Sequence, residues 1–166
     1  MLSRERLGAG FHLLEKPYTR AQMVGRIREI LDTPARNAAG TGCALIVEDE
    51  PLLREIVAYV LKTHGFSVVE AGSLAQTKAL TGTQFDLAIV DQNLGDGFGA
   101  EVVKALRETA PGLPVIFASG DSSPDPQVAE WQTQRAPTVA LRKPYTLAGL
   151  TEAIESLQLE PVKVAP

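Results

Sequence analysis

The stretch from Phe85 to Gly99, FDLAIVDQNLGDGFG, decides how the rest of the chain is interpreted. Its apolar run, Leu87 to Val90, leads directly into Asp91, and a glycine-rich loop follows. A short apolar run without alternation is typical of a strand that is covered on both faces, as in a parallel sheet. Asp91 then lies at the carboxyl end of its strand, where open α/β sheets bind ligands. Taken alone, the stretch is equally compatible with a turn aspartate.

Composition limits the classes of protein that the chain can belong to. Its 166 residues, 45% hydrophobic and 22% charged, suit one globular domain with an appendage. The net charge of -4 lacks the basic footprint of a nucleic-acid-binding protein. No apolar run is long enough for a membrane span, and residues 1–10 lack the apolar core of a signal peptide. Because Cys43 is the only cysteine, an internal disulfide and a thiolate metal cluster are excluded, and we expect a cytoplasmic protein.

Residues 43 to 158 alternate between short apolar runs and helical patterns. This alternation predicts a three-layer, doubly wound parallel sheet of five strands with five helices. The predicted strands are 44–47, 66–71, 85–91, 115–118 and 139–141. The predicted helices follow Glu50, Ser73, the glycine-rich loop, Pro126 and Thr146.

Residues 1 to 35 form a separate, smaller pattern. An apolar run, Phe11 to Leu14, precedes Lys16-Pro17-Tyr18-Thr19, and an amphipathic helix is predicted from Thr19. The same four residues recur at Lys143 to Thr146, again between an apolar run and an amphipathic helix. We therefore predict a partial copy of the end of the larger domain in 1–35, a linker in 36–42, the full domain in 43–158 and a tail in 159–166.

Four of the five predicted strands end in a residue that can handle phosphate or a hard cation. These residues are Glu48 and Asp49, Asp91, Ser119 and Lys143. Singly, each has a plainer interpretation as a solvated corner, a turn residue or a surface charge. Parallel strands end at one edge, however, and three carboxylates there repel one another unless a cation such as Mg2+ lies among them. This pattern indicates an aspartate nucleophile for a phosphoryl group, with a lysine and a hydroxyl to offset its charge.

Residues 43 to 158 resemble the receiver domain of bacterial two-component response regulators. Four motifs at the strand ends carry the resemblance: VEDE, IVDQNLGDG, FASG and LRKPYT. The resemblance implies a flavodoxin-like sheet with strand order 2-1-3-4-5. It also implies roles for the residues of the strand ends. Asp91 would be the phosphoacceptor, Ser119 the switch hydroxyl, Lys143 the phosphate partner, and Glu48, Asp49, Asp91 and the backbone carbonyl of Asn93 the Mg2+ ligands.

The resemblance further implies the partners of the protein. Receivers take a phosphoryl group from a histidine kinase or a histidine phosphotransfer protein and signal by altered contacts with an output protein, here unknown. We expect no enzymatic activity beyond the receiver's own phosphoryl transfer and dephosphorylation. Two positions depart from the family pattern. Ala140 stands where a switching aromatic residue is frequent, and Gly95 stands where proline is frequent, which should loosen the loop after Asp91.

Other interpretations stay open at this point. The chain can be the receiver fragment of a hybrid histidine kinase or a tandem-receiver protein. A haloacid-dehalogenase-like phosphatase is disfavoured because Asn93 stands where a second aspartate is needed, and a flavodoxin-like protein is disfavoured because VEDE repels the FMN phosphate. The apolar residues of 1–35 need a partner surface, so we expect this segment to add to a sheet edge or to form a homodimer.

Overall fold

The computed structural model of the chain describes residues 42–80, 82–120, 126–133 and 136–159, together with Thr19. The chain divides into two units, Met1–Pro34 and Ala35–Pro166, and all of these ranges lie in the second unit. The strand, helix and homodimer contact predicted for residues 1–35 lie outside the described residues, as does the tail from residue 160. The predicted domain boundaries stay predictions.

The described part of the second unit alternates strands and helices. The strands are β1 Cys43–Val47, β2 Ser67–Ala71, β3 Leu87–Asp91, β4 Val115–Ser119 and β5 Thr138–Arg142. The helices are α1 Pro51–Thr63, α2 Leu74–Lys78, α3 Gly99–Thr109, α4 Pro126–Thr133 and α5 Leu147–Ser156. A short antiparallel hairpin pairs Asn93–Leu94 with Gly97–Phe98 between β3 and α3. None of the helices described is long and apolar enough to cross a bilayer.

The five strands form one sheet in the order β2-β1-β3-β4-β5, and every neighbouring pair is parallel. The predicted fold class and strand order are therefore confirmed. All five residues of the central strand β3 are buried, which explains why its sequence does not alternate. The edge strand β2, by contrast, exposes Ser67 and Glu70.

Local sequence signals set the ends of the helices. Pro51 occupies the first turn of α1, where its missing N–H costs no helical hydrogen bond. Gly65 follows that helix with a φ of 89°, a left-handed conformation that glycine adopts without strain. Ser73 caps α2 by accepting a hydrogen bond from the Gln76 N–H, and Thr146 caps α5 in the same way.

Arg107 fastens α3 to the amino edge of the sheet, where β4 and β5 begin. Its Nη2 donates to the Thr138 hydroxyl at 2.8 Å and to the Leu113 carbonyl at 3.2 Å. The guanidinium carbon lies 5.8 Å from the centre of the Trp131 ring on α4. Burial lowers the pKa of Arg107, and its Nε and Nη1 find no hydrogen-bond partner in the described part of the chain. At this edge, therefore, a partly buried guanidinium group links α3, β5 and α4 through contacts with neutral groups.

Candidate functional site

The carboxyl edge of the sheet brings the predicted acidic residues together. Glu48 and Asp49 follow β1, and Asp91 is the last residue of β3. One carboxylate oxygen from each lies within 4.8 Å of the other two. Glu48 and Asp91 are only 4% and 7% exposed, whereas Asp49 faces solvent. The site is therefore a cluster of three carboxylates that reaches solvent at Asp49.

Lys143 joins two of these carboxylates. It follows β5, and its backbone N–H donates to the Ser119 carbonyl at 2.7 Å, which continues the strand pairing with β4. Its Nζ lies 2.7 Å from Oδ2 of Asp91 and 2.9 Å from Oε2 of Glu48. Burial by itself lowers the pKa of Lys143, but the hydrogen bonds to Asp91 and Glu48 outweigh it and raise that pKa. Lys143 is thus an ammonium ion at neutral pH.

One lysine does not balance the charge of the site. Burial raises the pKa of Glu48, and the neighbouring Asp91 carboxylate adds to this effect, while the hydrogen bond from Lys143 opposes it. Three carboxyl groups share one ammonium group, so a second cation is electrostatically favoured among them.

The loop after Asp91 is fixed at both ends. The Asn93 N–H lies 3.5 Å from Oδ1 of Asp91. Farther along, the Asp96 carboxylate accepts hydrogen bonds from the backbone N–H groups of Leu74, at 2.7 Å, and Ala75, at 2.9 Å. These two bonds lower the pKa of Asp96. The loop is thereby tied to the first turn of α2.

Gly99 allows α3 to begin directly against Asp91. A Cβ atom at position 99 would lie 1.9 Å from the backbone carbonyl oxygen of Asp91, so no other residue fits without movement of the backbone. The Gly99 N–H donates to the Gln92 carbonyl at 2.8 Å. A Cβ at Gly95, in contrast, would make only an ordinary contact, 3.7 Å from Oδ2 of Asp49. Whether Gly95 loosens the loop stays a prediction.

The Ser119 hydroxyl donates a hydrogen bond to Oε1 of Gln92. The sequence analysis did not assign a role to Gln92, although its position directly after Asp91 could have drawn attention to it. On the other side of β4, Ala140 pairs with Phe117 and is exposed. The residue of β5 opposite Ser119 is Arg142.

Tyr145 is a further residue near the site whose proximity the sequence pattern did not reveal. Burial raises the pKa of its phenol, and the negative charges of Glu48, Asp91 and Glu50 add to the shift. The phenol is therefore within electrostatic range of the acidic pocket. Tyr145 accordingly stays a neutral phenol at physiological pH.

Comparison with known proteins agrees with this arrangement. Residues 44–155 match the model of the response regulator receiver domain family. A response regulator receiver protein of Anaeromyxobacter sp. (strain Fw109-5) is 30% identical over 118 residues, which cover 69% of this chain and 44% of that protein. The alginate biosynthesis transcriptional regulatory protein AlgB of Pseudomonas aeruginosa is 35% identical over 92 residues, which cover 55% of this chain and 20% of AlgB.

Among solved structures, the CheY-like receiver domain from Methylobacillus flagellatus superimposes with a TM-score of 0.58 at 26% identity, covering 70% of this chain and 98% of that one. The matched segment spans less than half of either curated relative, AlgB or the Anaeromyxobacter protein. The family model nevertheless covers all five strands almost completely, together with the acidic pocket and its lysine. The chain therefore belongs to the response regulator receiver domain family, the phosphoacceptors of two-component signalling.

Proposed function

We propose that Asp91 is the phosphoacceptor of this receiver. Its proposed donor is a phosphohistidine on a histidine kinase or a histidine phosphotransfer protein. One observation carries the proposal: a buried carboxylate at a strand end lies 2.7 Å from the Lys143 ammonium group and shares a pocket with two more carboxylates. This combination suits an aspartate nucleophile whose product, an acyl phosphate, needs positive charge around it.

The transfer itself exchanges one bond of phosphorus for another. A carboxylate oxygen of Asp91 forms the new P–O bond as the P–N bond to the donor histidine breaks. The imidazole leaves with the bonding electron pair and takes up a proton. Lys143 offsets charge on the phosphoryl oxygens, and the Ser119 hydroxyl donates a hydrogen bond to one of them. Water later hydrolyses the acyl phosphate to aspartate and inorganic phosphate.

Mg2+ fits the acidic pocket. The side-chain donors are carboxylate oxygens, which this hard cation prefers, and their negative charge exceeds the single positive charge of Lys143. We propose Glu48, Asp49, Asp91 and the backbone carbonyl of Asn93 as its ligands. When bound, Mg2+ supplies further positive charge to the phosphoryl oxygens during transfer.

The proposed outcome of phosphorylation is a change in the protein contacts of the receiver. In this proposal the chain acts on no other substrate, makes no contact with nucleic acid through the receiver and works in the cytoplasm. A receiver within a hybrid histidine kinase or a tandem-receiver protein is the alternative context. The two relatives compared do not favour this context, since one is named a transcriptional regulatory protein and the other a response regulator receiver protein. The site chemistry is the same in both contexts.

The proposal is tested with a small phosphodonor, acetyl phosphate, in the presence of Mg2+. Intact-mass measurement of the full chain should show one added phosphoryl group, which Asp91→Asn abolishes and a chelator prevents. Asp86→Asn provides a matched control, because Asp86 lies just before the amino end of the same strand, far from the acidic pocket. Its carboxylate accepts a hydrogen bond from the Cys43 N–H. Labelling that persists in Asp91→Asn would exclude Asp91 as the acceptor.

The metal ligands are tested separately by Mg2+ titration. Glu48→Gln combined with Asp49→Asn should shift the Mg2+ dependence of labelling to higher concentration, since two of the proposed oxygen ligands lose their charge. An unchanged titration would contradict their role as ligands.

A further inference from the structure

Gln92 and Ser119 occupy the ends of neighbouring strands, and each is fixed by backbone hydrogen bonds. The Gln92 N–H donates to the Ala118 carbonyl at 2.7 Å, and its own carbonyl accepts from the Gly99 N–H at 2.8 Å. The Ser119 carbonyl accepts from the Lys143 N–H at 2.7 Å. These backbone hydrogen bonds fix the two strand ends and thereby place the two side chains next to each other.

The hydrogen bond between them uses the only proton of the Ser119 hydroxyl. Because Oε1 of Gln92 can only accept, the Ser119 hydroxyl is the donor of this bond. A hydroxyl carries one O–H donor, so it cannot donate at the same time to a phosphoryl oxygen on Asp91. Phosphorylation therefore requires that the hydroxyl exchange one acceptor for another. The charged phosphoryl oxygen is the stronger acceptor, but the bond to Gln92 must be given up first.

We propose that Gln92 is a positioning residue that holds the Ser119 hydroxyl in the unphosphorylated protein and competes with the incoming phosphoryl group for its proton. This inference rests on the proposed roles of Asp91 and Ser119. According to this inference, Gln92 lowers the rate at which Asp91 is phosphorylated. The residue acts through Ser119 and takes no part in the bond changes at phosphorus.

Strand β5, on the other side of β4, does not supply this acceptor from a side chain. Arg142 is opposite Ser119 there, and a guanidinium group only donates hydrogen bonds, while Ala140 is opposite Phe117 and has only a methyl group. A movement of the Ser119 hydroxyl towards Asp91 therefore exchanges a partner on β3. In this proposal phosphorylation breaks the hydrogen bond between Ser119 and the amide oxygen of Gln92.

The test compares initial rates of labelling by acetyl phosphate and Mg2+ in the full chain. Gln92→Leu removes the amide and should raise the rate by roughly twofold to tenfold, the range expected for one net hydrogen bond. Gln92→Met serves as a second variant with an unbranched side chain, in case Leu disturbs folding. Gln84→Leu is the matched control, because Gln84 is exposed and lies ahead of β3, and it should label at the wild-type rate.

A double-mutant cycle distinguishes positioning from a general structural effect. In a Ser119→Ala background the acceleration by Gln92→Leu should disappear, since no hydroxyl is left to release. Thermal denaturation without a phosphodonor supplies an independent readout of the same bond. The losses in melting temperature of the two single variants should exceed in sum the loss in the double variant.

The possible outcomes separate this inference from the proposed function. If the wild type is labelled at Asp91 but Gln92→Leu and Gln92→Met are labelled no faster, the proposed function stands. The inference that Gln92 lowers the rate of phosphorylation is then wrong. The same holds if the acceleration persists in Ser119→Ala. If the wild type is not labelled at all, the proposed function fails and the inference fails with it.

Discussion

Two partly buried cations lie at opposite edges of the same sheet, and they differ in what surrounds them. Lys143, at the carboxyl edge, contacts the carboxylates of Asp91 and Glu48 at 2.7 and 2.9 Å. Arg107, at the amino edge, contacts neutral oxygens, of which the Thr138 hydroxyl is 2.8 Å away, and the face of Trp131. Burial lowers the pKa of Arg107, whereas the pKa of Lys143 rises because its carboxylate partners outweigh burial.

The difference separates a cation whose surroundings change charge during phosphorylation from a cation that stabilises the fold. A cation among carboxylates is strongly affected when a metal ion or a phosphoryl group enters, because its partners change charge. A cation among carbonyls, a hydroxyl and an aromatic ring is affected little by events at the other edge. We therefore expect substitutions at Lys143 to alter phosphorylation and substitutions at Arg107 to alter stability.

The largest effect is expected from Lys143→Met, in the rate of labelling by acetyl phosphate. Removing a charge that is aimed at the developing negative charge should lower the initial rate by about 100-fold or more. Arg107→Met is the matched control, since it removes a partly buried cation from the other edge, and it should label within about twofold of wild type. Equal losses in the two variants would show that the edges are not functionally distinct.

Gly99→Ala should cause the next largest effect, this time in stability. The added Cβ meets a backbone oxygen of Asp91, so the free energy of unfolding should fall by about 3 kcal/mol, the upper part of the range for overpacking. Gly112→Ala near the amino edge is the control, because no atom lies within 4 Å of its Cβ position, and its change should stay within about 0.5 kcal/mol. Urea denaturation measures both. Equal stability of the two variants would mean that α3 shifts away from β3 at no cost.

Arg107→Met should have a smaller effect on the free energy of unfolding. The variant loses the hydrogen bonds of Nη2, but it also removes two buried nitrogens, Nε and Nη1, whose N–H groups have no partner among the described residues. We expect a net loss of about 1 kcal/mol in chemical denaturation. A loss several times larger would mean that Arg107 makes a charged interaction that neutral partners cannot account for.

The smallest effect is expected from Asp96→Asn and depends on pH. The bonds from Ala75 and Leu74 lower the folded-state pKa of Asp96, so its stabilising contribution is present above the unfolded value of about 3.9 and is lost as pH falls through the folded value. Asp96→Asn should therefore melt at a lower temperature than wild type near pH 7, with the difference shrinking under acid conditions. A difference that is constant with pH would contradict a role for the Asp96 charge. Nearby Lys78 also favours the charged form.

Much of the carboxyl edge could be predicted from the sequence. Short apolar runs that end in polar residues mark the ends of buried strands, and parallel strands place those ends together. For this reason the sequence correctly placed Glu48, Asp49, Asp91 and Lys143 in one neighbourhood. The boundaries of the strands differed from the prediction by one or two residues, which reflects the weak sequence signal of strand ends.

Other features depend on side-chain directions that a linear pattern does not contain. Arg107 received no role from the sequence, yet its long side chain reaches the starts of β4 and β5. Gly99 could not be told apart from Gly95 and Gly97 until the position of α3 was known. The bond between Gln92 and Ser119 likewise depends on rotamers at two strand ends that are far apart in sequence.

The ion pair between Lys143 and Glu48 joins residues that are 95 positions apart in the chain. Contacts of such long range form late in folding, because a large loop must close before they can contribute. During synthesis Lys143 is also the last of the proposed site residues to be added. A chain synthesised only as far as β4 therefore contains Asp91 without Lys143. The proposed site is complete only when the edge strand β5, which Lys143 follows, has joined the sheet.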